Sequence, residues 1–307
     1  MRRRRAHIDG MRGRTGIAAA LLLAVLAADP AGAADGADGG PPQQTLRIGH
    51  SATVASELGA ELTAAILRRR LGYAADTVLA DVAALYSALG GGRIDLLPGA
   101  WTPDVHRAFL QRVAGRVERL GTLYTGARVG WLVPTSVPER LAAALPDLRR
   151  PDARAALGGR VRGGEAGSGA MRLSRRAIAR YRLEGWTLEA SSHAGAALAL
   201  RRAVARGDAA VATGRRPHWI HGALPVRFLA DPQDAFGGPQ QVRVLARAGF
   251  AGDHPWAARL LGRIGLELET VQRLVERAHA DGVAAAVDGY LRRNHDRIDR
   301  WVEAASR

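Results

Sequence analysis

Apolar residues recur at i, i+4 and i+8 from Leu58 through Leu62 to Ile66, and the run closes on Arg68 to Arg70. That spacing predicts a helix with one apolar face. Just ahead of it, Leu46-Arg47-Ile48-Gly49-His50 alternates in the manner of a strand. The same alternation of strand and helix patterns continues along the chain. Thr77-Val78-Leu79 and Asp95-Leu96-Leu97 read as strands, with a helix between them that Asp81 caps and Gly90 to Gly92 ends. Pro103 is expected to open the next helix, because proline is tolerated in a first turn. After Arg128 the pattern starts again, with a strand at Val129 to Val133 and a short helix near Pro138 to Ala144. A glycine-rich turn, Gly164 to Gly169, leads into a helix ending near Arg182. Leu188 lies in a strand pattern, His193 to Arg206 in a helix and Ala209 to Ala212 in a strand. Beyond Phe250 only helical patterns appear, as far as Trp301, and no repeat of solenoid period is visible.

Strands alternating with helices predict an α/β fold with a largely parallel sheet. The 307 residues fit two such units at about 150 residues each. Ligands bind at the carboxyl ends of the strands in these sheets. Two units facing each other would form a cleft that closes about a hinge.

Residues 1–33 have a different pattern. Arg2 to Arg5, Arg12 and Arg14 precede an apolar run from Ile17 to Ala28, and Ala31-Gly32-Ala33 has a small-x-small form. The 12-residue run is too short for a bilayer core, which needs about 20 residues. Together these features read as a signal peptide cut after Ala33, which places the rest of the chain in the periplasm. Residues 34–44, rich in Gly, Asp and Pro, read as a flexible tether. The leader holds six arginines against Asp9 and Asp29, so the remainder carries a net charge of +11. Its arginines are spread over every segment with few aromatics between them, which argues against a nucleic-acid partner.

Composition removes several chemistries. The chain has no cysteine and no lysine, so all 44 basic residues are arginine. A cysteine nucleophile, a disulfide framework, a lipid-anchor cysteine, a P-loop lysine and Schiff-base chemistry are thereby excluded. His218 and His221 are three apart with no carboxylate placed to complete a metal site. Ser168 has Ala166 two residues before it, and Thr53 stands two residues after Ser51, so neither serine lies in a nucleophile elbow. An exported hydrolase using His106 or His218 as base therefore lacks a nucleophile. We expect no catalytic residue, no metal and no cofactor.

Seven segments carry a family resemblance. They are GHSATVASELGAELTAAILRRRLG (49–72), IDLLPGAWTPDVH (94–106), LYTGARVGWLVP (123–134), GGEAGSGAMR (163–172), TGRRPHW (213–219), FLADPQDAFGG (228–238) and VRVLARAGF (242–250). In order and spacing they resemble the substrate-binding proteins of glycine betaine and proline betaine ABC transporters. The resemblance implies a two-lobed periplasmic binding protein fold of type II, an α/β architecture with the ligand cleft between the lobes. Lobe 1 would comprise 45–127 plus 240–307, and lobe 2 128–239, with the C-terminal helices returning to lobe 1. It also implies a small-molecule ligand, a permease subunit in the inner membrane as partner, and a monomer.

Each candidate site residue has a physical reading beside the resemblance. Trp101 lies at the carboxyl end of its strand, where its ring face could attract a cation for about 0.5–2 kcal/mol; it resembles a ring of the family's trimethylammonium cage. His106 resembles a histidine that helps hold the ligand carboxylate. Ser168, Gly169 and Ala170 open a helix without bulky side chains, and free N–H groups at a helix start favour an anion; the resemblance places the ligand carboxylate at Gly169 and Ala170. Ser51 and Tyr124 complete the candidate set with two departures. Many members read Thr-Gly-Trp-x-Pro-His-Trp where this chain has Arg215 in place of the first tryptophan, and Gly-Trp where it has Gly49-His50. With His50 and Arg215 at two ring positions, either other aromatics such as Tyr124 or Trp131 rebuild the cage or the ligand differs. Trp131 and Trp219 otherwise read as core residues. The expected function is a solute-binding protein for a glycine betaine-like or related amine or carboxylate osmolyte. The alternative is a module for another polar ligand that feeds a sensor.

Overall fold

The computed structural model describes residues 45–306; the leader and tether expectations lie outside them. The chain runs β1 (Leu46–His50), α1 (Val54–Leu71), β2 (Ala75–Leu79), α2 (Val82–Gly90), β3 (Leu96–Thr102), α3 (Arg107–Arg112) and β4 (Val117–Pro134). It continues with α4 (Glu139–Ala142), α5 (Pro151–Leu157), β5 (Arg160–Arg162), α6 (Gly169–Arg180), β6 (Thr187–Glu189), α7 (His193–Arg206), β7 (Val211–Arg216), α8 (Ile220–Ala223) and β8 (Val226–Phe228). Strand β9 (Gln240–Arg247) is followed by helices α9 (Phe250–Asp253), α10 (Pro255–Arg263), α11 (Leu268–Asp281), α12 (Val283–Arg293) and α13 (His295–Ser306). No helix among the described residues is long and apolar enough to cross a membrane.

The strands lie in the order β2-β1-β3-β9-β4-β7-β5-β6, with β8 also on β4. Strand β4 belongs to both ends of this sheet. Its stretch from Val117 to Ala127 pairs with β9, and from Arg128 to Pro134 it pairs with β7 and β8. The expectation of a largely parallel sheet needs correction. The outer pairs β1/β2, β1/β3, β5/β6 and β5/β7 are parallel, whereas β3/β9, β4/β9, β4/β7 and β4/β8 are antiparallel. The centre is antiparallel because β4 carries the chain out of the first half and β9 brings it back.

Local chemistry sets the element ends. The Thr53 hydroxyl accepts from the Ser56 N–H at the start of α1, and Gly72 ends that helix in the left-handed region, where glycine has no steric penalty. Ser168 and Ser192 cap α6 and α7 in the same way. Pro103, however, does not open a helix. The Asp104 and Val105 N–H groups donate to Gln240 Oε1 at 2.8 and 3.2 Å, which holds 103–106 as a turn, and α3 begins at Arg107.

Each half has its own core. In the first, Leu58, Leu62 and Ile66 of α1 pack with Leu46, Ile48 and Val244 of the sheet and with Phe250, Leu274 and Tyr290 from the C-terminal helices. In the second, Trp131 and Val133 pack with Leu173, Tyr181 and Trp186. Trp101, at the end of β3, is packed against both. Trp131 is wholly buried, and its Nε1–H donates to Ser174 Oγ at 2.9 Å. It is a core residue and supplies no ring to a ligand. Trp131→Ala should therefore destabilise the protein by about 3–5 kcal/mol, the cost of emptying a large aromatic site. Urea denaturation measures this, and a loss below about 1 kcal/mol would contradict the packing described.

Candidate functional site

Where β1, β3 and α6 end, the two halves meet around a small cavity of about 60 Å³. Ser51, Thr53, Trp101 and His106 face it from the first half, and Ser168, Gly169, Ala170, His193 and Arg215 from the second. Seven of the nine residues singled out from sequence are thus gathered at one place. The other two are close but do not line it. His50 is buried at the end of β1 with Nδ1 3.3 Å from the Ser51 carbonyl oxygen. Tyr124 is buried in the first core, near enough for the Arg215 charge to act on its hydroxyl. Two further cavities, of about 20 and 410 Å³, adjoin the first and share His193 and Arg215 with it.

Thr53, Ser56 and His193 line the cavity and were not singled out from sequence. A signal for His193 exists: it is the first residue of α7, just past the carboxyl end of β6, where α/β sheets place ligands.

The amides at the start of α6 are open to the cavity. Ser168 Oγ takes the Met171 N–H at 3.3 Å, leaving the Gly169 and Ala170 N–H groups without a partner among the described residues. Gly169 also sets how closely the halves approach. A Cβ at this position would overlap the Val105 carbonyl of the opposite half. Next to it, Arg172 Nη2 donates to the same carbonyl at 3.1 Å. Across the cavity, Arg216 grips both carboxylate oxygens of Glu269 on α11 at 2.8 and 2.7 Å. The His218 backbone exchanges hydrogen bonds with the Gln272 side chain at 3.1 and 2.8 Å, and Trp219 stacks on His279 with ring centroids 4.0 Å apart. Contacts on both sides therefore hold the halves closed over the cavity.

Three imidazoles around the cavity are neutral. The Trp101 N–H donates to His106 Nδ1 at 3.2 Å, and the Tyr86 hydroxyl lies 3.2 Å from the same nitrogen. That leaves the His106 proton on Nε2, available as a donor. Burial, followed by the Arg215 and Arg172 charges, pushes the His106 pKa down to about 3. Burial and Arg215 push His193 to about 3 as well, so its 3.6 Å approach to Glu165 is not an ion pair at neutral pH. His218 is also pushed to about 3, mainly by burial and Arg215.

Arg215 sits opposite Val129 in the β4/β7 register, and both face the cavity. Strand alternation sends the next residue, Arg216, to the other face, where it meets Glu269. Burial lowers the Arg215 pKa to about 10, a value at which it is still charged at neutral pH.

The histidines give a signed pH dependence. Unfolded imidazoles take up protons near pH 6.5, whereas these folded ones do so only near pH 3. Their contribution to stability is complete above about pH 6.5 and is lost as pH falls toward 3. The thermal midpoint should fall steadily from pH 7 to pH 4.5, and NMR should show no imidazole titration for these three above about pH 4. A titration midpoint near 6.5 for His106 would contradict its burial as a neutral ring.

Comparison with known proteins adds a family to this geometry. Residues 44–292 match the family described as the substrate binding domain of ABC-type glycine betaine transport system. The glycine betaine/carnitine transport binding protein GbuC of Listeria monocytogenes serotype 1/2a (strain 10403S) is 28% identical over 175 residues, covering 54% of this chain and 58% of that protein. The match thus spans little more than half of the length of that relative. Lactococcal OpuAC, solved in its closed form with glycine betaine, superposes with a TM-score of 0.76 at 22% identity, covering 84% of this chain and 99% of that one. The glycine betaine/L-proline-binding protein ProX from Borrelia burgdorferi also superposes at 0.76, with 19% identity, 85% of this chain and 100% of that one. The fold is therefore the two-lobed type II periplasmic binding protein fold.

Proposed function

We propose that this chain, which belongs to the family of substrate-binding domains of ABC-type glycine betaine transport systems, captures a small carboxylate-bearing solute between its lobes and delivers it to a membrane permease. The family is one of solute-binding proteins, not enzymes. Such proteins work outside the cytoplasm, and a leader at 1–33 would make the compartment the periplasm. The moving bodies are lobe 1, residues 45–127 plus 240–307, and lobe 2, residues 128–239. Their separate cores, joined through β4 and β9, support this division.

One observation carries the reading: residues from both halves converge on a single cavity that opens if the halves separate. In it the Gly169 and Ala170 amides and the α6 dipole would hold a carboxylate. His106 Nε2–H would donate a further hydrogen bond, and the Trp101 face would pack on the body of the solute. The names of the relatives above give glycine betaine, carnitine and proline, which supports a small carboxylate of this kind.

Gly169→Val tests it by placing a side chain where the Val105 carbonyl now lies. Overpacking of this kind costs about 1–3 kcal/mol, here charged against closure and so equal to about 5- to 150-fold in affinity. With a panel of glycine betaine, choline, carnitine and dicarboxylates, at least one compound should raise the thermal midpoint of the wild type and do so far less for Gly169→Val. Small-angle scattering should show the variant more extended. Equal shifts in both proteins, or none in either, would contradict the reading. Trp101→Ala should cost about 1–3 kcal/mol in binding through lost apolar burial, measured by calorimetry; an unchanged dissociation constant would remove Trp101 from the site.

A further inference from the structure

The three adjoining cavities are lined by no aspartate or glutamate, and by two arginines. Arg201 stands at the outer cavity alone, whereas Arg215 is common to all three. Other arginines around the cleft are already engaged: Arg172 on the Val105 carbonyl, Arg176 on the Ala235 carbonyl and Arg216 on Glu269. The Arg215 guanidinium has neither a hydrogen bond nor an ion pair among the described residues. Glu165 acts on it through space but lies beyond ion-pair distance, with its own Oε2 3.6 Å from His193. A guanidinium carries five donors in a fixed fork. Left unpaired in a half-buried position, it is costly. Strand register prevents it from turning to the other face, where Arg216 already sits.

A quaternary ammonium group has little to hold it here. It needs either a counter-charge or several ring faces. The central cavity offers neither: Trp101 is its one indole or phenyl ring, and Arg215 is the one permanently charged side chain lining it. An acid group, by contrast, meets two independent holders, the open amides of α6 and the fork of Arg215.

Resting on the cleft reading above, we propose that the solute is a small dicarboxylate, one acid group on the α6 amides and the other in two-point contact with Arg215, and that quaternary ammonium compounds are excluded. The Arg215 charge thus selects the substrate class, and an anion completes the cleft electrostatically when the lobes close.

The test uses calorimetry and thermal shift with succinate, glutarate, glycine betaine and choline on the wild type and on Arg215→Met. The wild type should bind at least one dicarboxylate, and Arg215→Met should lose about 10- to 100-fold of that affinity, the worth of a hydrogen-bonded charge. Without ligand, Arg215→Met should have a raised thermal midpoint, because an unpaired charge is replaced by an apolar chain of similar length. Binding of glycine betaine in place of the dicarboxylates would overturn this inference and leave the cleft reading standing, whereas binding of choline alone, which has no carboxylate, would overturn both. Binding of none of the four would overturn both. A lowered midpoint for ligand-free Arg215→Met would show that the guanidinium already has a partner, and would also overturn the inference.

Discussion

Strand β4 runs unbroken for 18 residues, pairing with β9 over its first part and with β7 over its second. The placement of every group in the cleft follows from this continuity. Because β4 is shared, the two cores can be separate bodies while their strand ends still converge. Val129, just past the point where β4 changes partners, fixes the register that turns Arg215 inward. On the other side, β9 returns beside β3, and its Gln240 holds the turn after Trp101 by accepting from the Asp104 and Val105 amides. That turn presents the Val105 carbonyl to Gly169 and so sets the closest approach of the halves.

Electrostatics in the cleft follows from burial. Three imidazoles give up their charge because a desolvated cation beside Arg215 would cost more than a neutral ring. Arg215 cannot do the same at neutral pH. The central cavity therefore carries a single fixed positive charge, Arg215, beside the His106 Nε2–H, the α6 amides and the hydroxyls of Ser51 and Thr53. A cavity whose one fixed charge is a cation beside open amide donors is complementary to oxyanions. The stacked and paired contacts at Arg216, His218 and Trp219 lie just outside it, where they add to closure without entering the cavity.

Much of this was legible in the sequence, for identifiable reasons. Helix α1 announces itself by the spacing of Leu58, Leu62 and Ile66, because a local pattern decides it; the Thr53 and Ser192 caps of α1 and α7 came to light only in the structure. The cavity residues at strand ends, Trp101 and Ser168 to Ala170, are legible because α/β topology fixes where such ends lie. Long-range pairing was not. The stretch of β4 from Val117 to Ala127 has glycines at 121 and 126 and an irregular register, so its alternation is weak and only β9 makes it a strand. Pro103 misleads in the same way, since the acceptor that keeps 103–106 out of a helix comes from Gln240, 136 residues away from Asp104. His50 stands at a ring position of the family resemblance and Tyr124 was a candidate to rebuild the cage, yet neither lines the cavity, whereas Ser51, next to His50, does. Whether a side chain at a strand end reaches the cavity depends on packing from the other lobe, which no local pattern encodes.

The choice of solute by the Arg215 charge is tested most directly by purifying the folded protein under native conditions, denaturing it, and identifying the released small molecule by mass spectrometry. A compound with two acid groups should be released in near-stoichiometric amount by the wild type and be absent from Arg215→Met. Release of a quaternary ammonium compound by the wild type would contradict it.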